Sequence, residues 1–248
     1  MEIQMNSMTS GVALCCIVLC VGPVAAQDTV PLKEAKLNIE HNATDSDTGF
    51  QGFIDSEGWS DITVTGPGGE VLHFEGRGML AELGLTELFF ETVEPENADV
   101  PIDEMLSKLP EGEYVFEGTV IENGEGGMAT RAVATLTHAI PEGPELIAPA
   151  EDAAIPADDL TVRWGPVQQS ITGQPVEIVA YQLIIERIQD PHPNFIGKYG
   201  LSVYLPPSTT ELEIPDGFLE PGTEYSWEVL AIEASGNQTL SSSSFRTE

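Results

Sequence analysis

Apolar and polar side chains alternate along most of this chain with a period of two, the spacing that puts every second residue of a strand on one face. The longest run is 176–188. There Val179, Tyr181, Leu183 and Ile185 form one set, and Ile178, Ala180, Gln182, Ile184 and Glu186 the other. The first set stays apolar up to Arg187 and is expected to face a core. Leu160 to Trp164 alternates in the same way, and strands are further predicted over 198–205, 211–214, 225–232 and 242–246. The separators are Pro206-Pro207, Pro215-Asp216-Gly217, Pro221-Gly222 and Ser235-Gly236-Asn237, residue types that turn a chain.

The first half predicts strands over 35–41, 61–65, 70–75, 88–93, 114–122 and 130–138. Gly66-Pro67-Gly68-Gly69 reads as a turn able to join two of them as a hairpin, and 123–127 as a loop. One short helical turn is expected over 101–108, where Pro101 opens it, Asp103 and Glu104 sit early and Lys108 sits late. The pattern as a whole predicts an all-β protein. The Pro/Gly cluster from Pro141 to Pro144 reads as a short linker and divides the chain into 27–143 and 144–248.

Residues 144–248 resemble a fibronectin type III domain. The resemblance is carried by Trp164 on the second strand, Tyr181 at the centre of the third, Leu219-Glu-Pro-Gly-Thr-Glu-Tyr225, and the Trp227-Glu-Val-Leu-Ala231 that follows. It implies two antiparallel sheets packed face to face, with Tyr225 as a tyrosine corner whose hydroxyl bonds back to the backbone. It implies no particular ligand. An internal echo, Leu109-Pro-Glu-Gly-Glu-Tyr114 with Phe116 two positions on, parallels the Leu219–Tyr225 segment and Trp227. By that echo residues 27–143 are an acidic, immunoglobulin-like β-sandwich with Tyr114 at a similar corner. The expected architecture is therefore two tandem immunoglobulin-like β-sandwich domains, the second fibronectin type III-like.

The apolar run from Gly11 to Ala26, ending in Val24-Ala25-Ala26, reads as a signal peptide over residues 1–26, with Gln27 the first mature residue. It departs from the usual pattern in having Glu2 and no Lys or Arg before Gly11, so an uncleaved anchor is the alternative and the one route to a membrane. All three cysteines, Cys15, Cys16 and Cys20, lie in this run. Leu14 and Leu19 precede Cys15 and Cys20 where a lipidation signal needs a small residue. A cleaved chain thus has no disulfide and no cysteine nucleophile, and its stability rests on packing. The expected location is the periplasm, the cell surface or the medium.

Nine Lys and Arg stand against 41 Asp and Glu, a net charge of −32. Such a surface has few cations to displace phosphate counterions, which excludes nucleic acid as a partner. Nucleophile-elbow, phosphate-loop and zinc-helix motifs are absent, and His41, His73, His138 and His192 are scattered singly. With so many acids, carboxylate pairs at glycosidase spacing arise by accident. One cluster is sharper. Asn42 to Asp55 spaces oxygen-bearing side chains as a calcium loop does, with Asp45 and Asp47 as candidate calcium ligands. The EF-hand pattern fails, because Gly49, Phe50 and Ser56 stand at its fifth, sixth and twelfth positions. The other reading of the cluster is a polar surface turn. Phe50, Phe53 and Trp59 beside it are either core plugs or stacking surfaces for a partner.

Two N-glycosylation acceptor patterns stand at Asn42-Ala-Thr44 and Asn237-Gln-Thr239. The last turn has no Arg-Gly-Asp adhesion sequence. The function expected from all this is a non-catalytic binding, adhesion or spacer protein acting through sandwich loops and edges on a protein or polysaccharide partner. No cofactor other than calcium is expected. The alternatives are a calcium-stabilised structural subunit, or a carbohydrate-active accessory or hydrolase domain using acids of residues 27–143.

Overall fold

The computed structural model describes residues 29–122, 125–189, 192–194 and 196–248; the expected export segment lies outside them. Fourteen strands and two short helices follow one another as β1 (Glu34–Asn42), β2 (Asp47–Gly66), β3 (Gly69–Glu75), α1 (Met79–Leu83), β4 (Leu85–Glu91), α2 (Ile102–Lys108), β5 (Gly112–Glu122), β6 (Glu125–Leu136), β7 (Leu146–Ala148), β8 (Ala153–Ile155), β9 (Thr161–Trp164), β10 (Ile178–Arg187), β11 (Gly200–Leu205), β12 (Glu211–Glu213), β13 (Glu224–Glu233) and β14 (Gln238–Thr247). Among the described residues no helix is long and apolar enough to cross a membrane.

Residues 144–248 form a fibronectin type III-like sandwich. A three-stranded sheet, β12-β9-β7, faces the antiparallel set β11-β10-β13-β14. Between them lie Val162, Trp164, Tyr181, Leu183, Ile185, Leu219, Tyr225, Trp227, Val229 and Phe245, all buried. Tyr181, Leu183 and Ile185 point inward as their alternation predicts. Val179 does not: the ladder to β13 shifts register between Ile178 and Ala180, and this turns Val179 out to solvent. The Tyr225 hydroxyl accepts the Glu220 backbone N–H at 2.9 Å, and its ring stacks on Phe245. Tyr181 lends its hydroxyl to the Val167 N–H at 2.8 Å and its ring to the edge of Trp164.

The first lobe is a sandwich made by bending one strand. The first half of β2 pairs with β1 and β4; after a register break between Asp55 and Trp59 its second half pairs with β3 and β5, and β5 with β6. Both halves face a core of Leu37, Ile39, Phe50, Ile54, Trp59, Ile62, Val64, Tyr114, Phe116 and Leu136. The Tyr114 hydroxyl donates to the Pro110 carbonyl at 2.8 Å. Its ring presses against Gly66, where a Cβ would come within 2.2 Å of Cε1. α2 inserts Met105 into the same core.

Two expectations are corrected here. The polar stretch 42–55 is a turn only over 43–46, and from Asp47 onward it is strand, because its alternate residues Thr48, Phe50, Gly52 and Ile54 all face the core. The loop expected over 123–127 is shorter, with β6 beginning at Glu125. The two tandem sandwiches are also joined through their sheets, which the sequence pattern does not predict. β14 pairs in parallel with β1, Glu40 opposite Gln238 and Asn42 opposite Leu240, so one eleven-stranded sheet runs through both lobes.

Asn237 closes this junction. The sequence puts it in a turn and in a glycosylation pattern, and it is 1 % exposed. Its Oδ1 accepts the Ile39 N–H at 2.9 Å, and its Nδ2 donates to the carbonyls of Thr137 and Ala139 at 2.9 and 3.2 Å. Thr239 adds a bond to the Pro141 carbonyl at 2.6 Å. Gly143 is pressed between the Ala43 and Ser241 side chains, with 2.5 and 2.6 Å left for a Cβ. The Pro141–Pro144 linker is thus packed into the interface.

Removing the Asn237 amide leaves buried backbone groups of both lobes without partners. Asn237→Ala should lower unfolding free energy by about 2–4 kcal/mol, read from urea denaturation, whereas the exposed Asn194→Ala should be silent. In the same assay Tyr225→Phe should cost about 0.5–1.5 kcal/mol and Trp164→Ala about 3–5 kcal/mol. Equal and negligible losses would contradict the core described above.

Candidate functional site

The parallel β14–β1 ladder carries the outer face of the second lobe onto the first. Directly opposed residues of a ladder share a face. On one side this face holds Tyr204, Gln182 and Leu230 in register across β11, β10 and β13. Next come Gln238 opposite Glu40, then the rows Asn38–Gln51–Glu91 and Lys36–Phe53–Phe89 across β1, β2 and β4. The surface is concave and forms a groove of about 870 Å³ whose walls include Phe53, Phe89, Val179, Ile184 and Tyr204. Phe89 and Tyr204 stand 57 and 67 % exposed at its two ends.

Amides brace the middle of the groove. Gln238 Nε2 donates to Glu40 Oε2 and, at 3.0 Å, to Gln51 Oε1. Gln51 Nε2 in turn donates to Glu91 Oε1 at 2.8 Å. On the far wall Gln182 Nε2 reaches Ser202 Oγ at 2.9 Å. Lys36 lies 5.9 Å from the Phe53 ring centroid and is paired with Glu34 at 2.6 Å.

Beside this brace three carboxylates converge. Glu40, Glu91 and Glu94 bring ligand oxygens within 4.8 Å of one another, close enough to share one cation. Glu94 is seated over Gly49, where a Cβ would lie 2.6 Å from its Cγ, so glycine at this strand position makes the cluster. Its Oε1 is enclosed and has no hydrogen-bond partner among the described residues. Burial, then the charges of Glu40, Glu91 and Asp47, push the Glu94 carboxyl up to about 7. Burial also raises Glu40 against the opposing effect of the Gln238 bond.

Asp45 and Asp47 are not among the three converging carboxylates, although the Asp47 charge reaches Glu94. Asp45 lies in the exposed 43–46 turn and accepts from Asn42 Nδ2 at 3.0 Å, while Asn42 Oδ1 caps the N–H groups of Thr44 and Asp45. Asp47 begins β2; its carbonyl accepts from His41 Nδ1 at 2.8 Å, and burial raises its carboxyl. Phe50 and Trp59 are core plugs, and Phe53 alone of the three aromatics reaches the groove. Trp164, Tyr181, Leu219, Tyr225, Trp227 and Tyr114 are buried in the two cores and none lines the groove. Sequence reading missed Glu40, Glu91 and Glu94. Their signal was alternation, since Glu40 and Glu91 sit at outward-facing strand positions, but many other acids share that signal.

Comparisons with known proteins follow the fold. No family model matches the chain, and no curated sequence does. Among solved structures, a two fibronectin type III domain segment from chicken tenascin aligns over 87 % of this chain and 98 % of its own, at 12 % identity and a TM-score of 0.30. The fn3 domain of the human collagen alpha-1(XX) chain covers 45 % of this chain and 88 % of its own, at 23 % identity and 0.30. The FN1–FN3 domains of chicken CNTN1 cover 89 and 69 %, at 11 % identity and 0.31. With similarity this low, the fibronectin type III-like description rests on the strand order and core of the chain itself.

An acid whose native pKa is raised holds its proton more tightly when folded, so its ionisation costs stability as pH climbs from near 4.5 toward 7. His41, lowered by burial, acts in the opposite sense below 6.5. Glu94→Gln isolates the first effect. It should raise the melting temperature at pH 8 by about 2–4 °C, the carboxylate's partial exposure keeping the gain to about 1 kcal/mol, and should match wild type at pH 4.5. A difference that persists unchanged at pH 4.5 would remove Glu94 ionisation as its cause.

Proposed function

We propose that this chain is an exported, non-catalytic binding module that meets its partner on the concave face shared by its two lobes. The observation that carries the reading is the pair of exposed rings, Phe89 and Tyr204, held at opposite ends of one hydrogen-bonded sheet. Exposed aromatics on a rigid surface are the groups that anchor partners, since they bury much area at little entropic cost. The junction bonds of Asn237 keep the lobes from rocking, so the groove is preformed and binding forfeits little ordering entropy. On this reading the contact surface is a sheet face, beside the loops and edges that the sequence suggests. Adhesion and spacing are compatible roles for the same rigid body.

A second reading, glycoside hydrolysis, is favoured by the elevated Glu94 carboxyl beside Glu40 and Glu91. Against it, Glu94 Oε1 is enclosed, and of the three only Glu40 lines the groove. A general acid has to touch the leaving oxygen.

Two assays separate the readings. Components of the source's envelope or medium retained by the wild-type protein should be lost from the Phe89→Ala/Tyr204→Ala variant at unchanged melting temperature. Retention by both would place the contact elsewhere. Reducing-end release from neutral polysaccharides should be at background level; release abolished by Glu94→Gln would make the protein a hydrolase.

A further inference from the structure

The groove's charged lining is unequal. Glu40 and Glu233 face it together with Lys36, and Lys36 is already paired with Glu34. Glu91 and Glu94 crowd against Glu40 from the first lobe, and Glu228 lies in register with Ile184 on the same face of the second. The whole chain carries −32. Three carboxylates within 4.8 Å repel one another, and the amides of Gln51 and Gln238 donate to two of them without supplying charge. A guanidinium would supply both charge and donors, since its planar fork can serve several carboxylate oxygens at once and its face stacks on aromatic rings.

The length of the face suits a chain segment. From β11 to β4 the sheet crosses six strand intervals, about 29 Å at ~4.8 Å each, which an extended peptide of roughly eight or nine residues would span. Apolar Val179 and Ile184 and the rings of Phe53, Phe89 and Tyr204 flank the carboxylates along that path. A neutral glycan would use the rings and amides but leave the carboxylate repulsion in place.

On these grounds, and resting on the binding reading above, we infer that the concave face receives an extended cationic segment of a partner protein. An arginine or lysine of that segment is drawn to Glu40, whose negative field Glu91 and Glu94 reinforce from beside the groove, and its apolar neighbours lie on Phe53, Phe89 and Tyr204.

The test uses the purified exported protein on an array of random nonapeptides and, in parallel, on an array of neutral oligosaccharides. Enriched peptides should carry Arg or Lys inside an apolar run. The best of them, measured by fluorescence anisotropy, should bind at least tenfold more weakly when its basic residue becomes Gln. A similar loss is expected with the Glu91→Gln/Glu94→Gln protein, whose melting temperature should not fall. Peptides without a basic residue, or affinity indifferent to the two glutamates, would overturn the cationic assignment while leaving the binding face standing. Oligosaccharides retained in a Phe89-dependent way, with no peptide retained, would replace the peptide by a glycan. Binding on neither array that depends on Phe89 or Tyr204 would sink both this inference and the function it rests on.

Discussion

Everything distinctive about this molecule hangs on a parallel pairing of three residue pairs between β1 and β14, and on the Asn237 amide that closes it. A fibronectin type III-like sandwich ends in an edge strand, and an exposed edge is a row of unpaired donors and acceptors. Here β1 of the other lobe covers the first three residues of that edge and β8 the last three. Asn237 then satisfies the Ile39 N–H and two carbonyls just past β6 in one buried side chain. Buried polar groups are costly when left unpaired, so this single amide makes the relative placement of the lobes a matter of hydrogen-bond satisfaction and not of loose contact.

The consequence is a surface neither lobe has alone. Rows of side chains from β11, β10 and β13 continue through Gln238 and Glu40 onto β1, β2 and β4. Where the sheet turns from one lobe to the other it becomes concave, and the acids of two elements meet. The crowding of Glu40, Glu91 and Glu94 depends on a missing Cβ at Gly49 and on amides that hold two of the three in place. Such groups are destabilising in a free protein and become favourable once a counter-charge arrives, which is how binding surfaces commonly store part of their affinity.

Much of the chain's architecture could be read before any coordinates. The second lobe followed from alternation at Leu160–Trp164 and 176–188, and from the Leu219–Tyr225 segment, because inward apolar positions and a proline-glycine turn are local properties. The first lobe was legible as strands, and as a sandwich through the echo at Leu109–Tyr114, but the bend in β2 that makes its two layers was not. A 20-residue β2 that bends to serve two layers looks, by composition, like a polar loop followed by a short strand, since Gly49, Gly52 and Gly58 weaken the strand signal. Those glycines are there for close approach: a Cβ at Gly52 would come within 2.2 Å of the Phe90 ring.

By itself the sequence determined the all-β class, the two hydrophobic cores, the corner tyrosines and an acidity that repels phosphate. These depend on which residues are neighbours along the chain and on their total charge. Tertiary structure alone decided that the lobes share one sheet, that Asn237 is an interior clasp, and that Glu40, Glu91 and Glu94 stand out from the other carboxylates. Each of those facts is a meeting of residues between about 40 and 200 positions apart, and no local pattern encodes which distant strand edge a given strand will pair with.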